Sequence, residues 1–335
     1  MQDILLSIII PIYNIEKYVM RCLESVKEQT LGIDQVEILA IDDGSTDKSG
    51  QICDSYTEDW RNFSVIHKVN GGLSAARNTG IRTATGRFLL FLDGDDFLCK
   101  GAINQILGEL IKFPETDVLI GRYVNYDLST QVYEECGYHL DKVAIETKQG
   151  NELLYALLNG RTYEWYAWLN IVRKTYLTDH QFYFKEGVMF EDAIWTPDIL
   201  FSARQVRYME KPFYIYLRNR NDSITKKFSE KSYKDKWNAL EYVEQFCLKH
   251  SVNSEVEKKL WGNLNLIYTS LLFDSWKFPK EQRKQIQMKL DRYKKIYRYT
   301  NRKYQQILYG LWKLIGVKGV SFILYIRAEW VRHKN

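Results

Sequence analysis

Residues 88–98 read FLLFLDGDDFL, five apolar residues followed by three carboxylates within four positions, Asp93, Asp95 and Asp96. Like charges held this close repel, so either a cation compensates them or the chain is only turning at the surface. Two earlier apolar runs end in a similar way, one in Pro11-Ile12-Tyr13-Asn14 and the other in Asp42-Asp43-Gly44-Ser45. Together these residues could hold a nucleotide. The Tyr13 ring offers a face to a base, Asp43 can accept an N–H from a pyrimidine, and Asp93 can accept from ribose hydroxyls. Asp95 can ligate a divalent cation that also grips a diphosphate, and Mg²⁺ or Mn²⁺ favours such oxygen ligands. Each piece alone has a plainer reading. Asp-Asp-Gly-Ser also makes a turn and a helix cap, Asp-x-Asp-Asp also makes a solvated turn or a calcium loop, and a lone Tyr packs. It is the combination, on successive strand ends, that points to a nucleotide and a metal.

Those residues need a scaffold that brings the strand ends together, and the first hundred residues supply one. LLSIIIPI is a continuous apolar run suited to a strand buried on both faces, VEILAIDDGS reads as a second buried strand with a turn, and FSVIHKV and RFLLFLDGDD read as a third and a fourth strand. Between them, EKYVMRCLESVKEQ places Tyr18, Cys22 and Val26 on a helical stripe, TDKSGQICDSYTEDW reads as a helix, and SAARNTGIRTATG reads as a short helix closed by Gly86. This alternation predicts an α/β protein with a mainly parallel sheet, whose ligands gather beyond the carboxyl ends of the strands. Residues 150–225 are mixed, and from about residue 226 the pattern becomes helical and charged.

Composition removes several classes. The chain has 335 residues, enough for a large domain and a smaller one. Its five cysteines are odd in number and scattered, with no Cys-x-x-Cys pair, which argues against a disulfide framework or zinc site and suits a reducing cytoplasm. A dinucleotide-binding dehydrogenase would need Gly-x-Gly-x-x-Gly after the first strand, where this chain has PIYNIE, and there is no P-loop. The N-terminal run has no basic leader, so no signal peptide is expected, and no run reaches the roughly 18 uncharged apolar residues of a membrane span. Net charge is +5, but residues 277–335 hold 16 Lys+Arg against 3 Asp+Glu, leaving an acidic body and a basic tail.

The segments SIIIPIYN, ILAIDDGSTD, NGGLSAARNTG, FLLFLDGDDFL, GVMFEDAIW and YLRNRNDSIT occur in this order over about residues 5–225. In them the chain resembles the family 2 glycosyltransferases, inverting nucleotide-sugar enzymes of the GT-A fold, of the kind that build bacterial polysaccharides. The resemblance implies a Rossmann-like mixed sheet flanked by helices. It also implies a catalytic domain over 1–225, with a nucleotide-sugar half at about 1–98 and an acceptor half at about 99–225, followed by a helical basic region at 226–335. By resemblance, Pro11, Tyr13 and Asn14 surround the uracil, Asp43 contacts the base, and Asn70 and Arg77 line the nucleotide pocket. Asp93 binds the ribose and Asp95 the Mn²⁺ or Mg²⁺, while Asp96 caps the helix near Cys99 or supports the metal's waters. Asp192 becomes the catalytic base with Glu191 beside it on the acceptor side, and Arg218 and Arg220 close over the diphosphate. Trp168 is a candidate platform for an acceptor sugar, with a core role as the alternative. One departure is Asn170, where the family often has Lys.

The implied reaction moves a sugar, with inversion, from a UDP-sugar to a glycan or lipid-linked glycan acceptor, in capsule, exopolysaccharide or lipopolysaccharide synthesis. No nucleic-acid partner is expected. The alternative is an inactive GT-A-like binding module with a lipid- or RNA-binding tail. Residues 308–330, LYGLWKLIGVKGVSFILYIRAEW, are apolar yet carry Lys313, Lys318 and Arg327. An interfacial helix is therefore expected rather than a span, placing the protein in the cytoplasm, peripheral on the inner membrane face. Packing on the catalytic domain with a solvated basic face is the alternative.

Overall fold

The structure is a computed structural model that describes residues 3–135, 139–159, 163–219 and 228–334. It divides into two compact units, Met1–Leu153 with Trp165–Asp222, and Leu154–Glu164 with Ser223–Asn335.

The first unit opens with four strands, β1 (Leu6–Ile12), β2 (Val36–Asp42), β3 (Phe63–His67) and β4 (Phe88–Phe91). Helices α1 (Val19–Thr30), α2 (Ser49–Ser55) and α3 (Leu73–Thr83) connect them. The chain continues through β5 (Phe97–Leu98), α4 (Ala102–Lys112), β6 (Val118–Asp127), β7 (Val132–Glu135), α5 (Lys142–Thr147), α6 (Gly150–Leu158), β8 (Asn170–Arg173), α7 (Lys174–Asp179), α8 (Asp192–Ser202) and β9 (Val206–Arg218). The sheet order is β3-β2-β1-β4-β8-β6-β9-β5, with β7 paired to β6. β1 to β4 run parallel, β8 runs antiparallel to β4 and β6, and β6 and β9 are parallel to each other. The carboxyl ends of β1, β2, β4, β6 and β9 therefore share one edge.

Every residue of β1 is buried, as its Ile-rich, nearly continuous apolar run requires. Pro11 is tolerated because pairing with β4 stops at Ile9↔Phe91, so its missing N–H interrupts no ladder there. α3 lies close on β1 at Gly80, where a Cβ would come within 2.3 Å of Ile9 Cγ2. α1 buries Val19, Cys22, Leu23, Val26 and Thr30. At about 1.5–3 kcal/mol for each large aliphatic chain, this face holds the helix to the sheet.

Local expectations needed adjusting. Tyr18 precedes α1 rather than joining its stripe. α2 stops at Ser55, and the turn after it lets Trp60 stack on Phe63 at 4.8 Å. α3 ends at Thr83, before Gly86, which instead packs on Ser7. β4 ends before the carboxylates, which occupy a turn.

The second unit is helical, with α9 (Glu230–Lys249), α10 (Ser254–Asn263), α11 (Asn265–Asp274), α12 (Lys280–Asp291), α13 (Lys295–Tyr299) and α14 (Lys303–Lys334). Ser229 and Asn253 cap α9 and α10 by accepting from Ser232 N and Val256 N. Leu260, Tyr268, Leu272, Leu290, Ile296 and Tyr297 are buried in it. The Tyr268 hydroxyl donates to Leu290 O at 2.9 Å, and Trp312 Nε1 donates to Asp291 Oδ1 at 2.6 Å.

Candidate active site

The strand ends are fastened to one another before they meet any ligand. Asn14 takes a left-handed φ of 51°, a conformation Asn adopts more readily than most residues. Its Oδ1 accepts from Thr46 N at 2.8 Å, tying the end of β1 to the loop after β2. Asp42 accepts from Ser45 N at 3.0 Å and lies 2.8 Å from His67 Nδ1, which fixes that loop to β3. Asp43 is buried. Its carboxylate accepts from Lys68 Nζ, from Gly71 N at 3.0 Å and from Gly72 N at 2.7 Å, and so shapes the turn that starts α3. Tyr13 and Asn70 are exposed, while Pro11 is buried. Of the residues expected around the base, Tyr13 and Asn70 present open surface, whereas Asn14 and Asp43 spend acceptor capacity on the scaffold.

The carboxylate turn is seated against the first strand. A Cβ on Gly94 would fall 2.9 Å from Pro11 O and 2.6 Å from Ile15 Cδ1, so only glycine lets the turn approach this closely. Asp96 neither caps α4, whose N-cap is Gly101, nor opens to solvent. Its carboxylate accepts from the Tyr214 hydroxyl at 2.6 Å and from Leu217 N at 2.7 Å, bracing β9. The Tyr214 oxygen in turn accepts from Asp93 N at 3.2 Å. Burial, with Asp95 and Asp93 nearby, pushes the Asp96 carboxyl well above the usual carboxylate range. The ligand atoms of Asp93, Asp95 and Asp96 lie within 4.8 Å of one another. Asp93 and Asp95 are the partly exposed members. An all-oxygen set of this spacing fits Mg²⁺ or Mn²⁺.

Arg77 joins this turn to the later part of the chain. Its guanidinium is 1% exposed; Nη2 donates to Asp93 Oδ1 at 2.8 Å, and Nη1 donates to Glu191 Oε1 at 2.8 Å and Asp192 Oδ1 at 2.9 Å. Burial alone would lower its pKa, but Asp93, Asp192 and Glu191 raise it further still. Arg77 was expected to line the nucleotide pocket, and Glu191 to face the acceptor. In the structure Arg77 is a buried bridge and Glu191 its buried partner. Asp192 begins α8, where the helix dipole favours a negative charge. Burial nevertheless outweighs the Arg77 guanidinium, and with Glu191 and Asp93 adding repulsion the Asp192 carboxyl is pushed up to about 7. One cation is shared among three carboxylates, so they compete for it.

The segment before α8 is held by residues that sequence reasoning passed over. Asn78, one residue past Arg77, accepts from Phe184 N at 2.9 Å and donates to Phe184 O at 2.9 Å. Phe184 stacks on Trp195 at 4.3 Å, and Phe91 of β4 meets both rings edge-on. Phe190 holds a left-handed φ of 63° immediately before Glu191, an unfavourable conformation for a bulky residue. The available signal was the Ala-Arg-Asn triplet of α3, whose two polar residues both turn out to be buried.

Three further segments singled out in the sequence can be located. Trp168 is 2% exposed and stacks on Tyr214 at 4.1 Å and Tyr166 at 4.7 Å, so it is a core residue with no face open to a sugar. Asn170 is also buried, donating to Tyr166 O at 3.0 Å. Arg218 is half exposed at the end of β9, with Nη1 3.9 Å from Glu134 Oε2, while Arg220 lies outside the described residues.

Residues 7–160 match the family described as Glycosyl transferase family 2. The chain is 31% identical over 218 residues to the uncharacterized glycosyltransferase EpsJ of Bacillus subtilis, a match covering 65% of this chain and 62% of EpsJ. The chain thus spans about three-fifths of that relative's length. It is 29% identical over 283 residues to EpsH of the same organism, also named as a glycosyltransferase, covering 83% of this chain and 79% of EpsH. Among solved structures, residues 1–349 of Staphylococcus aureus TarS, crystallised with UDP-GlcNAc, superpose with a TM-score of 0.68 at 18% identity, covering 97% of this chain and 92% of that one. This likeness bears out the expected GT-A architecture, a mixed, mainly parallel sheet flanked by helices with a helical C-terminal region. Residues 7–160 carry the sequence pattern of glycosyl transferase family 2, and the similarity to EpsJ and EpsH extends over longer stretches of the chain.

Proposed function

We propose that this chain transfers a sugar from a nucleotide-sugar donor, a UDP-sugar, to a hydroxyl of a glycan or lipid-linked glycan, with inversion and with a divalent cation, in the synthesis of a bacterial surface polysaccharide. Residues 1–225 form the catalytic region in this reading, with the donor half at about 1–98 and the acceptor half at about 99–225. Residues 226–335 contact the inner face of the cytoplasmic membrane peripherally. The observation that carries the reading is the Arg77 bridge, which gathers Asp93 at the end of β4 and Asp192 at the start of α8 around one guanidinium. A donor-side carboxylate and a base candidate, 99 residues apart in sequence, thereby reach one cluster. TarS, of similar fold, binds UDP-GlcNAc, and other relatives carry teichoic acid synthesis in their names. Both favour a UDP-sugar and a cell-envelope acceptor.

The proposed chemistry is a single displacement at the anomeric carbon. The acceptor oxygen forms the new glycosidic bond, Asp192 takes its proton, and the nucleoside diphosphate leaves with the electrons of the broken C–O bond. A general base so placed contributes about 10²–10⁴-fold. A carboxyl pushed up to about 7 suits that role, because it still holds a proton firmly once the acceptor releases one. Asp95 would hold the divalent cation, which when bound supplies positive charge to the leaving diphosphate, and Asp93 beside it would accept from the ribose hydroxyls. Arg218, half exposed at the same sheet edge, offers a second positive charge. Tyr13 and Asn70 present the base-side surface. Arg77 and Glu191 position Asp192 rather than touch the substrate. The test is a panel of nucleotide sugars incubated with Mn²⁺ and scored for released nucleoside diphosphate. Release from at least one donor, lost on chelation, supports the reading. No release from any donor, even with glycan acceptors, supports the inactive binding module.

A further inference from the structure

α14 is the one helix among the described residues that is long and apolar enough to cross a membrane. Three observations argue against a crossing. The backbone breaks at Gly316, with φ 63° and ψ −177°. Beyond the break the helix is pinned to its own unit. Val320, Ser321 and Leu324 are buried, Ser321 Oγ accepts from Trp276 Nε1 at 3.0 Å and from Gln287 Nε2 at 2.9 Å, and Trp276 packs on Phe322 and Tyr325. Finally, only eight residues separate Lys318 from Arg327, about 12 Å of helix, against a hydrocarbon core of roughly 30 Å.

The opposite side of this pinned segment is apolar and open. At about 100° per residue, Gly319, Phe322, Ile323, Ile326 and Trp330 fall in one stripe roughly 100° wide, facing away from Val320 and Leu324. Phe322 is 46% exposed, Ile326 51% and Trp330 58%. Lys318 and Arg327, both exposed, lie about 40° beyond the two edges of the stripe; Glu329 projects between Lys318 and the Phe322 edge, but eleven residues further along the helix from Lys318. Before the break, Leu314 and Ile315 are exposed as well, beside Lys313. Glu329 is the single acidic residue of 308–330, against three cations.

We infer that the Phe322–Ile326–Trp330 stripe is a docking surface for an anionic lipid bilayer, lying in the plane of the interface. An apolar stripe edged by a cation on each side matches that environment: the rings and branched chains enter the acyl boundary while Lys318 and Arg327 reach the headgroups. The excess of cations over residues 277–335 adds long-range attraction to an anionic surface. A second copy of the chain would bring Lys318 and Arg327 against like charges, so charge complementarity favours lipid. The inference deepens the peripheral contact proposed above and uses no step of the transfer chemistry, so its failure leaves glycosyl transfer standing.

The experiment is vesicle flotation of the full chain with no donor present, using vesicles rich in phosphatidylglycerol and vesicles of phosphatidylcholine alone. Ile326→Glu and the pair Lys318→Gln with Arg327→Gln are compared with the unaltered chain, and each protein's oligomeric state is measured by sedimentation. All three positions are exposed, so the fold should persist, with circular dichroism as the control. The unaltered chain should float with the anionic vesicles at low salt. Ile326→Glu should reduce binding about tenfold at every salt concentration, and the double Gln variant should reduce it on anionic vesicles only. No flotation of the unaltered chain, or equal flotation of Ile326→Glu, overturns the inference. A dimer that Ile326→Glu dissociates, with vesicle binding unchanged, overturns it in favour of a second copy.

Discussion

Arg77 is surrounded by three carboxylates, and the balance among them sets the chemistry. Replacing it by Met should leave the buried Glu191 and the part-buried Asp93 and Asp192 without their cation, a change that costs about 3–5 kcal/mol. Urea unfolding should show the loss. Arg77→Lys should recover only part of it, because a single ammonium lacks the fork that reaches Asp93 from one nitrogen and Glu191 with Asp192 from the other. Full recovery by Lys would mean that charge alone, not geometry, organises the cluster. The raised Asp192 carboxyl makes a second prediction. A base works only when deprotonated, so kcat/KM should be flat above about pH 7 and fall about tenfold per unit below it. That acid limb should be missing from the residual activity of Asp192→Asn. A profile flat down to pH 5 in the unaltered enzyme would contradict the assignment.

Elements carry these residues into register, and here sequence and structure can be compared piece by piece. β1, β2 and β4 were readable because burial on both faces demands near-continuous apolar runs, whereas β3 is buried only at Phe63 and was legible from its place in the alternation of strand and helix. Gly80 was not readable as a contact, because nothing in the sequence says that its missing side chain admits Ile9. Gly80→Ala should destabilise by about 1–3 kcal/mol through overpacking, and Ile9→Ala in the same chain should relieve part of that cost in a double-mutant cycle. The carboxylate turn was legible as a candidate cation site, yet the different burial of its members was not. Asp95 and Asp96 are adjacent and chemically identical, and only the path of β9, more than a hundred residues later, decides that Asp96 is buried against Tyr214 and Leu217. Trp168 was ambiguous for a similar reason, because an aromatic beside polar residues suits either a sugar platform or a core. Its near-complete burial predicts that Trp168→Ala lowers stability by about 3–5 kcal/mol. Trp168→Phe, by contrast, should leave the KM for acceptor within about twofold. A selective rise in acceptor KM without loss of stability would restore the platform role.

For the whole molecule, the proposed mechanism pairs a sheet edge that would bind the nucleotide with a base candidate that arrives late in the chain, in a region beyond the family match at residues 7–160. The proposed donor side rests on motifs that the sequence already placed at the ends of strands, and the structure sets the ends of β1, β2 and β4 side by side. The bridge from α3 to α8 was not readable, since it spans 114 residues between Arg77 and Glu191 and involves a residue type usually found at the surface. Chelation should abolish transfer and Mn²⁺ should restore it, while Asp95→Ala should fail to respond to the added metal. The most direct test of the central claim is Asp192→Asn, with UDP binding and sugar transfer measured on the same preparation. The account predicts UDP affinity within about twofold of the unaltered enzyme and transfer lower by about 10² or more. Transfer within about threefold of the unaltered enzyme would contradict it, and would show that the carboxylate gathered by Arg77 at the start of α8 is not the base.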